Sequence, residues 1–535
     1  MNACETTPHL PSKGLAPNHH ATESVEEAKH SDKRSYRDSL RAMFLTGSSS
    51  LVEMLVRVVK SKAIALCVGP EGIGLFGILT AATSLIRTAT NFGLAYSGVR
   101  QVAAASGSMD TVRISRVVYT LRRTSLATGL LGMFVVVAFA GPISKLTTGS
   151  SSYAHFLAIL GPLILLENVR GGQTALLRGL RKIRELARLR VFGAIAATLL
   201  SVPLVFVWGL NGIAPAMLLA AAAACGASWL YARRIRIAPV ALDAQGVLSE
   251  TYSLFSLGAA FLLNGIQKPF VDNTLRGILA WHTDLHSVGQ FLAASALSQV
   301  YVGFIIEAMG MDYLPRLTQH KEDPNTCNRL INEQMEISLL IAIPGICYLL
   351  FLAPVLIPLF YSNRFGDAIG VFRWQCLGTL LRVAAWPIGL VLVAKAHQTA
   401  FLVTQTATNA IHIGVFYVLV KMYGLTGAAI AAAIIQFLYM PLVYLTVRSL
   451  TGFRWSPAVW HLLLGALATY ALSCCITLFL SRTAAVVSGL SLSLGASVFC
   501  YRAVCQRTGL KPFRAVVDRA FARVNGEKGK RFRVF

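Results

Sequence analysis

The chain has 535 residues and a formal net charge of +25, yet only 14% of its residues are charged and 55% are apolar. Soluble domains carry about 25% charged residues, so a soluble multi-domain enzyme and a disordered chain are both excluded. Mean hydropathy is +0.59, and apolar runs of about 20 residues, the length that spans a bilayer, recur along most of the sequence. This composition predicts an all-α polytopic membrane protein.

Residues 1–42 contain no apolar core of a cleavable signal peptide, and we predict a disordered cytoplasmic tail there. Apolar segments that are long enough to cross a hydrocarbon core of about 30 Å then follow one another along the chain. The fourteen predicted spans are 43–67, 73–98, 124–144, 153–176, 191–209, 211–231, 253–275, 288–310, 335–360, 369–394, 399–420, 425–447, 459–480 and 484–501. They divide the chain into an N-lobe (43–231), a C-lobe (253–447), two extra transmembrane helices (459–501) and a basic cytoplasmic tail (502–535).

The distribution of basic residues predicts the orientation. If successive connections alternate between two sides, 36 of the 49 lysines and arginines lie on the side of both tails, and five lie on the other side. The positive-inside rule places the richer side, with both termini, in the cytoplasm. Connections on the other side have about twelve residues at most. They leave no extracytoplasmic domain for chemistry, so we expect that the protein is not an enzyme.

Two short patterns recur at one spacing. The segment Gly72–Phe76 (GIGLF) returns as Ser287–Phe291 (SVGQF), and the turn that begins at Gly209 (GLNGIAPA) returns at Gly424 (GLTGAAIA). The separation of Gly74 from Gly289 equals that of Gly209 from Gly424, and we call it the repeat offset. We infer two homologous halves of six helices each. Because six is even, the halves share one topology and are related by an axis along the membrane normal.

The turn Gly69-Pro70-Glu71-Gly72-Ile73-Gly74, preceded by Lys62, resembles the G-P-x-G-x-G turn of bacterial Wzx-type flippases. The segments 288–291 and 301–316 resemble the corresponding motif of the second half, and the likeness covers about residues 43–447. These flippases belong to the multidrug/oligosaccharidyl-lipid/polysaccharide (MOP) exporter superfamily.

The resemblance implies two six-helix lobes in a MATE-like V shape, a central cavity and alternating access. The implied function is to flip an undecaprenyl-pyrophosphate-linked oligosaccharide, such as an O-antigen or exopolysaccharide repeat unit, from the cytoplasmic to the periplasmic leaflet of the bacterial inner membrane. The implied partners are this lipid-linked oligosaccharide, membrane lipids, and a polysaccharide polymerase with its chain-length machinery. We expect no cofactor, no metal site and no nucleic-acid partner.

Ionisable residues within the spans identify the candidate site, because each costs about 2.5–3.5 kcal/mol to place at the centre of a membrane. Eight basic and only four acidic residues lie within the spans. We expect a cationic cavity in which these groups bind a pyrophosphate, by bidentate arginine contacts and lysine point charges. The candidate substrate-binding residues are Arg57, Lys62, Arg87, Lys268, Arg276 and Arg382, and the candidate coupling or pairing residues are Glu53, Asp272 and Glu307.

The repeat offset aligns Glu53 with Lys268 and Arg57 with Asp272, so the two halves carry equivalent polar stripes with inverted signs. Each stripe can also form an ion pair within its own helix, since its members lie four residues apart. A structural pair and a substrate-binding stripe are both compatible with this pattern.

Two further features follow from spacing. Glu167 and Arg170 are three residues apart, which predicts a salt bridge on one helix face. Pro269 lies between the two charged residues of the second stripe, and we expect a hinge there.

Other functions remain open at this level. A multidrug or cation antiporter of the same superfamily would need an acid-rich cavity, whereas the surplus here is basic. The charge pattern does not distinguish a lipid II flippase from a flippase of other lipid-linked oligosaccharides. A membrane polysaccharide polymerase would need a larger extracytoplasmic loop. The sequence lacks a G-x-x-x-x-G-K-[ST] motif for ATP hydrolysis. Its ten cysteines lie scattered, without a C-x-x-C pair, and we expect buried thiols.

Overall fold

The computed structural model describes residues 19–107, 111–235 and 244–508. These residues form fifteen α-helices and three short 3-10 helices, and no strand occurs among them. The α-helices are α1 (His19–Asn91), α2 (Leu94–Gly107), α3 (Thr111–Ala138), α4 (Ala140–Thr148), α5 (Ala154–Ile159), α6 (Gly161–Gly179), α7 (Ile183–Trp208), α8 (Ile213–Ala232), α9 (Ala244–His282), α10 (Leu285–Gln319), α11 (Pro324–Phe360), α12 (Ala368–Ala394), α13 (Gln398–Thr451), α14 (Pro457–Phe479) and α15 (Arg482–Thr508). We call α1–α8 the first half and α9–α13 the second half.

Nine helical segments of the described ranges are long and apolar enough to cross a membrane, or eleven if each sharply bent pair counts as one span. Three of the nine are 40, 50 and 54 residues long, well beyond the roughly 20 residues that one crossing needs. Each of these three contains a break at a glycine with positive φ: Gly69, Gly209 or Gly424. The predicted count of fourteen spans would place two crossings in each long segment, and it stays a prediction.

The repeat offset recurs in the backbone. Gly209 and Gly424 have the same dihedral angles, with φ 56° and ψ −130°. Arg181 and Ala396, which are separated by the same offset, both have positive φ, at 53° and 57°. Positive φ is uncommon for residues that carry a β-carbon. Its occurrence at equivalent places shows that the second half repeats the local geometry of the first.

The helix boundaries correct two predictions. Residues 19–42, predicted as part of a disordered tail, are helical and belong to α1. Seven of the sixteen residues from Glu26 to Arg41 are glutamate, lysine or arginine, which favour a helix. Residues 1–18 and 509–535, the remainder of the predicted tails, lie outside the described residues. The predicted second span, 73–98, is broken at Phe92 and Gly93, where φ is 49° and 71°.

The sharp bend of α9 does not lie at Pro269, where we predicted a hinge. The helix axis turns by 58° between Ser256 and Phe261. Gly258 lies in this bend, and a β-carbon on it would overlap the carbonyl oxygen of Phe92. The bend therefore brings the backbone of α9 directly against the break that follows α1.

Two hydrogen-bond networks attach α14 and α15 to the second half through α11. Asn332 Nδ2 donates to the carbonyl of Arg454 at 3.0 Å, and Asn332 Oδ1 accepts from the backbone amide of Ser456 at 2.8 Å. Arg507 Nε, near the end of α15, lies 2.7 Å from Glu336 Oε2. These contacts fix both extra helices against α11.

We predict that Asn332→Ala destabilises the fold, because it leaves two backbone groups without their partner at a cost of about 1–3 kcal/mol. The expected result is a lower midpoint of thermal unfolding for the full chain in detergent. Asn325→Ala is the matched control, since Asn325 lies on the same helix, is exposed and forms no side-chain hydrogen bond with the described residues. Equal midpoints for the two variants would contradict the prediction.

Candidate functional site

The two predicted polar stripes form ion pairs within their own helices. Arg57 Nη2 lies 2.7 Å from Glu53 Oε1 in α1, and Lys268 Nζ lies 2.7 Å from Asp272 Oδ2 in α9. The basic side chains nevertheless stay exposed, at 72% for Arg57 and 81% for Lys268. Exposed pairs of this kind contribute about 0–1 kcal/mol. If this exposed face lines a water-filled cavity, each base can exchange its carboxylate for another anion at little cost.

Glu167 of α6 is the centre of the charge group of the first half, which also includes the pair Glu53–Arg57. Its Oε2 atom lies 2.6 Å from Arg170 Nη2, which confirms the predicted salt bridge. The same oxygen lies 3.9 Å from Arg87 Nη1 of α1, a looser contact. Arg170 also interacts electrostatically with Glu53. One network of alternating signs thus connects α1 and α6, and its basic groups outnumber its carboxylates.

Asp272 of α9 is the centre of the charge group of the second half. Besides its contact with Lys268, it interacts electrostatically with Arg276 of α9, Arg382 of α12 and His412 of α13. Asp272 therefore forms an ion pair with Lys268 and lies within electrostatic range of two arginines and a histidine, and these four groups come from three helices. Like the first group, this group carries a surplus of positive charge.

Two of the predicted bases have neutral partners. Arg382 Nη1 donates to Gln299 Oε1 of α10 at 3.2 Å, and Arg276 Nη1 donates to the carbonyl of Gly77 at 2.6 Å. Within the described part of the chain, neither has a carboxylate at ion-pair distance. Because Gly77 belongs to α1, Arg276 also connects the two halves.

Lys62 and Glu307 lie apart from both charge groups. Lys62 is half-buried and Glu307 is exposed, and neither forms a hydrogen bond or an ion pair with any residue that the structure describes. Gln299, Gly303 and Glu307 are exposed at intervals of four along α10, so Glu307 shares a helix face with the partner of Arg382. The assignment of all these residues to one cavity stays a prediction.

Two members of the second charge group were not among the predicted residues. His412 lies within the predicted span 399–420. A titratable ring, like a charged side chain, is costly to place inside a membrane and therefore indicates a functional position. A scan for histidines within spans would have found it. Gln299 is neutral and carries no such signal in the sequence.

The two repeated glycine motifs contact each other across the halves. A β-carbon on Gly74 would overlap the carbonyl oxygen of Leu285, and one on Gly289 would overlap the carbonyl oxygen of Pro70. This close backbone approach explains why glycine occupies both positions. On the predicted topology, the contact lies near the extracytoplasmic face.

Gln290, which follows Gly289, fixes the connection between α11 and α12. Gln290 is fully buried. Its Nε2 atom donates to the carbonyl of Arg364 at 2.9 Å, and its Oε1 atom accepts from the backbone amide of Ala368 at 3.0 Å. The connection between α11 and α12 is therefore held against α10 next to the contact between the halves.

A second contact between the halves lies near the predicted cytoplasmic face. Phe92 and Phe255 form an edge-to-face pair with ring centroids 5.6 Å apart, and Tyr96 stacks on Phe261 at 5.7 Å. A β-carbon on Gly93 would overlap the carbonyl oxygen of Gly258. The halves thus touch near both predicted membrane faces, with the two charge groups on the helices between these contacts.

A family described as polysaccharide biosynthesis protein matches residues 64–370, more than half of the chain. The lipid III flippase of Escherichia coli (strain K12) is 24% identical over 422 residues, which cover 75% of this chain and 96% of that protein. The lipid III flippase of Shigella flexneri matches to the same extent.

Solved structures share the fold. The lipid II flippase MurJ, in an inward closed conformation, superimposes with a TM-score of 0.66 at 16% identity, over 87% of this chain and 99% of that chain. An inward-facing MATE family transporter of the MOP superfamily superimposes with a TM-score of 0.62 at 15% identity, over 75% of this chain and 96% of that chain. The predicted all-α, MATE-like fold is confirmed. These similar proteins are flippases and transporters, in agreement with the expectation that the chain is not an enzyme.

We predict that Gly289→Ala prevents the contact with Pro70 from closing, because the added methyl group has no space beside the carbonyl. Gly303→Ala on the same helix is the matched control, since open space surrounds that glycine. The reporter is Leu292→Cys, at the same contact between α1 and α10. Its labelling by a membrane-impermeant maleimide, read by peptide mass spectrometry, should rise several-fold in Gly289→Ala alone. Unchanged labelling would show that the contact tolerates a side chain.

Proposed function

Since the chain belongs to the polysaccharide biosynthesis protein family, we propose that it flips an undecaprenyl-pyrophosphate-linked oligosaccharide from the cytoplasmic to the periplasmic leaflet of the bacterial inner membrane. Both termini lie in the cytoplasm in this proposal. The similarity to lipid III flippases and the MurJ-like fold support it. The observation that carries it is the surplus of basic groups in the two charge groups, where six bases face three carboxylates. The bases are Arg57, Arg87, Arg170, Lys268, Arg276 and Arg382, and the carboxylates are Glu53, Glu167 and Asp272.

These bases suit a pyrophosphate. A guanidinium group has five N–H donors, and Arg382 uses one of them on Gln299. The remaining donors can bind phosphate oxygens in a bidentate manner, while Lys268 supplies a point charge. The exposed Arg57 and Lys268 can exchange their carboxylates for phosphate oxygens. Neutralising the headgroup in this way lowers the cost of moving its charge through the membrane.

Alternating access uses the two contacts between the halves. The glycine contact at Gly74 and Gly289 closes the extracytoplasmic side, and the aromatic contact at Phe92 and Phe255 closes the cytoplasmic side. Transport opens one contact while the other stays closed. We propose Asp272 and Glu307 as sites that couple the cycle to an ion gradient. A polysaccharide polymerase with its chain-length machinery would then consume the exported repeat unit.

A lipid II flippase is the second candidate. The MurJ structure matches a larger share of this chain than the MATE structure does, 87% against 75%. The two candidates differ in the glycan and share the pyrophosphate. The two charge groups can bind the pyrophosphate of either lipid. The lipid that accumulates after deletion of the gene therefore distinguishes the two candidates. A multidrug antiporter fits less well, because its cationic cargo would meet surplus bases.

We predict that deletion of the gene leaves a lipid-linked oligosaccharide in the cytoplasmic leaflet, and that the wild-type gene removes it. Arg382→Ala should lower this export at least tenfold at equal expression, because a phosphate ligand is lost. Arg329→Ala is the control, since this exposed arginine pairs with Glu333 outside both charge groups. Accumulation of lipid II would favour the second candidate. Increased drug sensitivity without accumulation of a glycan would favour the antiporter.

A charge-swapped pair separates substrate binding from structural pairing. The double variant Glu53→Arg/Arg57→Glu retains an ion pair four residues apart but moves the base by one helical turn. If Arg57 binds phosphate, export should fall at least tenfold in the swapped protein. The swap Arg329→Glu/Glu333→Arg, at another exposed pair with the same spacing, should leave export unchanged. Full export by the Glu53→Arg/Arg57→Glu protein would show that the pair is structural.

A further inference from the structure

A cavity of about 600 Å³ lies between the halves on the predicted extracytoplasmic side. Both halves line it. The lining residues are Glu71, Leu75, Thr148, Ser150, Ser152, Tyr153, His155, Phe156, Leu210 and Asn211 of the first half and Ala280, Asp284, Leu285 and His286 of the second. Its size is within the range of about 300–1,000 Å³ that is common for small-molecule sites. Glu71 belongs to the glycine turn and Leu285 to the contact with Gly74. The cavity therefore lies at the glycine contact, away from both charge groups.

Several polar groups in this cavity form no hydrogen bond within the described part of the chain. Glu71, Asn211 and His155 are exposed, and their side chains form no hydrogen bond or ion pair with described residues. The hydroxyl of Tyr153 is also without a hydrogen bond inside the described ranges. A carboxylate, an amide, an imidazole and a phenol thus offer both donors and acceptors to one space. This combination suits a ligand with many hydroxyl groups.

Asp284 adds a second carboxylate. Its Oδ1 atom accepts a hydrogen bond from the backbone amide of Ser287 at 2.8 Å. Partial burial raises the pKa of Asp284, but the hydrogen bonds from Ser287 outweigh it and hold the pKa below its usual value. Asp284 is therefore ionised at neutral pH and can accept hydrogen bonds from hydroxyl groups.

Aromatic rings form part of the wall. Tyr153 stacks on Phe156 with an interplanar angle of 21°, and the ring centroid of His155 lies 3.9 Å from that of Phe156. Trp281, next to the lining residue Ala280, is 49% exposed. Aromatic rings beside a few oriented polar groups favour a ligand that has a C–H face and a hydroxyl rim. Sugars have this shape.

The loop that carries much of the wall is held by its own hydrogen bonds. Ser144 Oγ donates to the carbonyl of Ser150 at 2.6 Å, and Thr148 Oγ1 donates to the same carbonyl at 2.9 Å. Gly149 takes the left-handed conformation that closes this turn, with φ 75°. A preformed wall spares a ligand the free-energy cost of ordering the loop.

We propose that this cavity is an extracytoplasmic sugar-binding site that holds one or two neutral sugar residues between the halves. Its carboxylates disfavour acidic sugars by like-charge repulsion. Because both halves supply its walls, an occupied site favours the arrangement in which the glycine contact is closed. The proposal rests on the proposed function only for the source of the sugar, which is the exported glycan.

The test uses the full-length chain in detergent and two disaccharide probes. N,N′-diacetylchitobiose is the neutral probe, and cellobiouronic acid is the acidic one. Binding is measured by saturation-transfer NMR and by tryptophan fluorescence, for which Trp281 is a nearby reporter. The neutral probe should bind at least fivefold more tightly than the acidic one. Asn211→Ala and Tyr153→Phe should each weaken its binding at least fivefold.

Asn363→Ala is the matched control, because Asn363 is exposed on the same predicted face and does not line the cavity. It should bind the neutral probe as the wild type does. Failure of both probes to bind, or equal binding by the cavity variants and Asn363→Ala, would overturn the site. Arg382→Ala should bind the neutral probe normally. Cavity-dependent binding would support the site even if deletion of the gene left no glycan behind, so the two proposals fail separately.

Discussion

The free-energy cost of an ionised side chain in hydrocarbon, about 2.5–3.5 kcal/mol, governs where this chain keeps its charges. In each half, a carboxylate lies among several bases. Glu167 lies near Arg87 and Arg170. Asp272 interacts with Lys268 and Arg276 of its own helix and with Arg382 of α12. Partial compensation lowers the cost of each base without removing the positive surplus. The helices therefore hold a net charge that an anionic headgroup can neutralise.

Sequence patterns predicted the features that depend on local geometry. Apolar run length gave the all-helical membrane class, because the required span is set by bilayer thickness. The pairs Glu53–Arg57 and Lys268–Asp272 follow from spacing alone, since residues four apart share a helix face. The repeat offset was readable from glycine turns, and the identical dihedral angles of Gly209 and Gly424 show that the turns are the same structure.

Features that depend on contacts between distant helices were not readable. Arg382 contacts Gln299 of another helix, and a neutral glutamine in an apolar run carries no signal of its partner. The bend of α9 around Gly258 lies directly against the backbone of Phe92, a residue far away in the sequence, whereas the visible signal was a proline further along the same helix. The cavity around Glu71 is assembled from four separate segments, so its polar groups look like ordinary loop residues in the sequence.

The inverted order of the two equivalent ion pairs has an electrical consequence. Glu53 precedes Arg57 in α1, but Lys268 precedes Asp272 in α9. In the proposed topology both helices run in the same direction, so the two charge separations point in opposite directions along the bilayer normal. A transmembrane voltage acts with about 2.3 kcal/mol per elementary charge per 100 mV. In the proposed alternating-access cycle, its work on one pair cancels its work on the other when both halves tilt symmetrically, so these pairs add no dependence of the cycle on membrane potential.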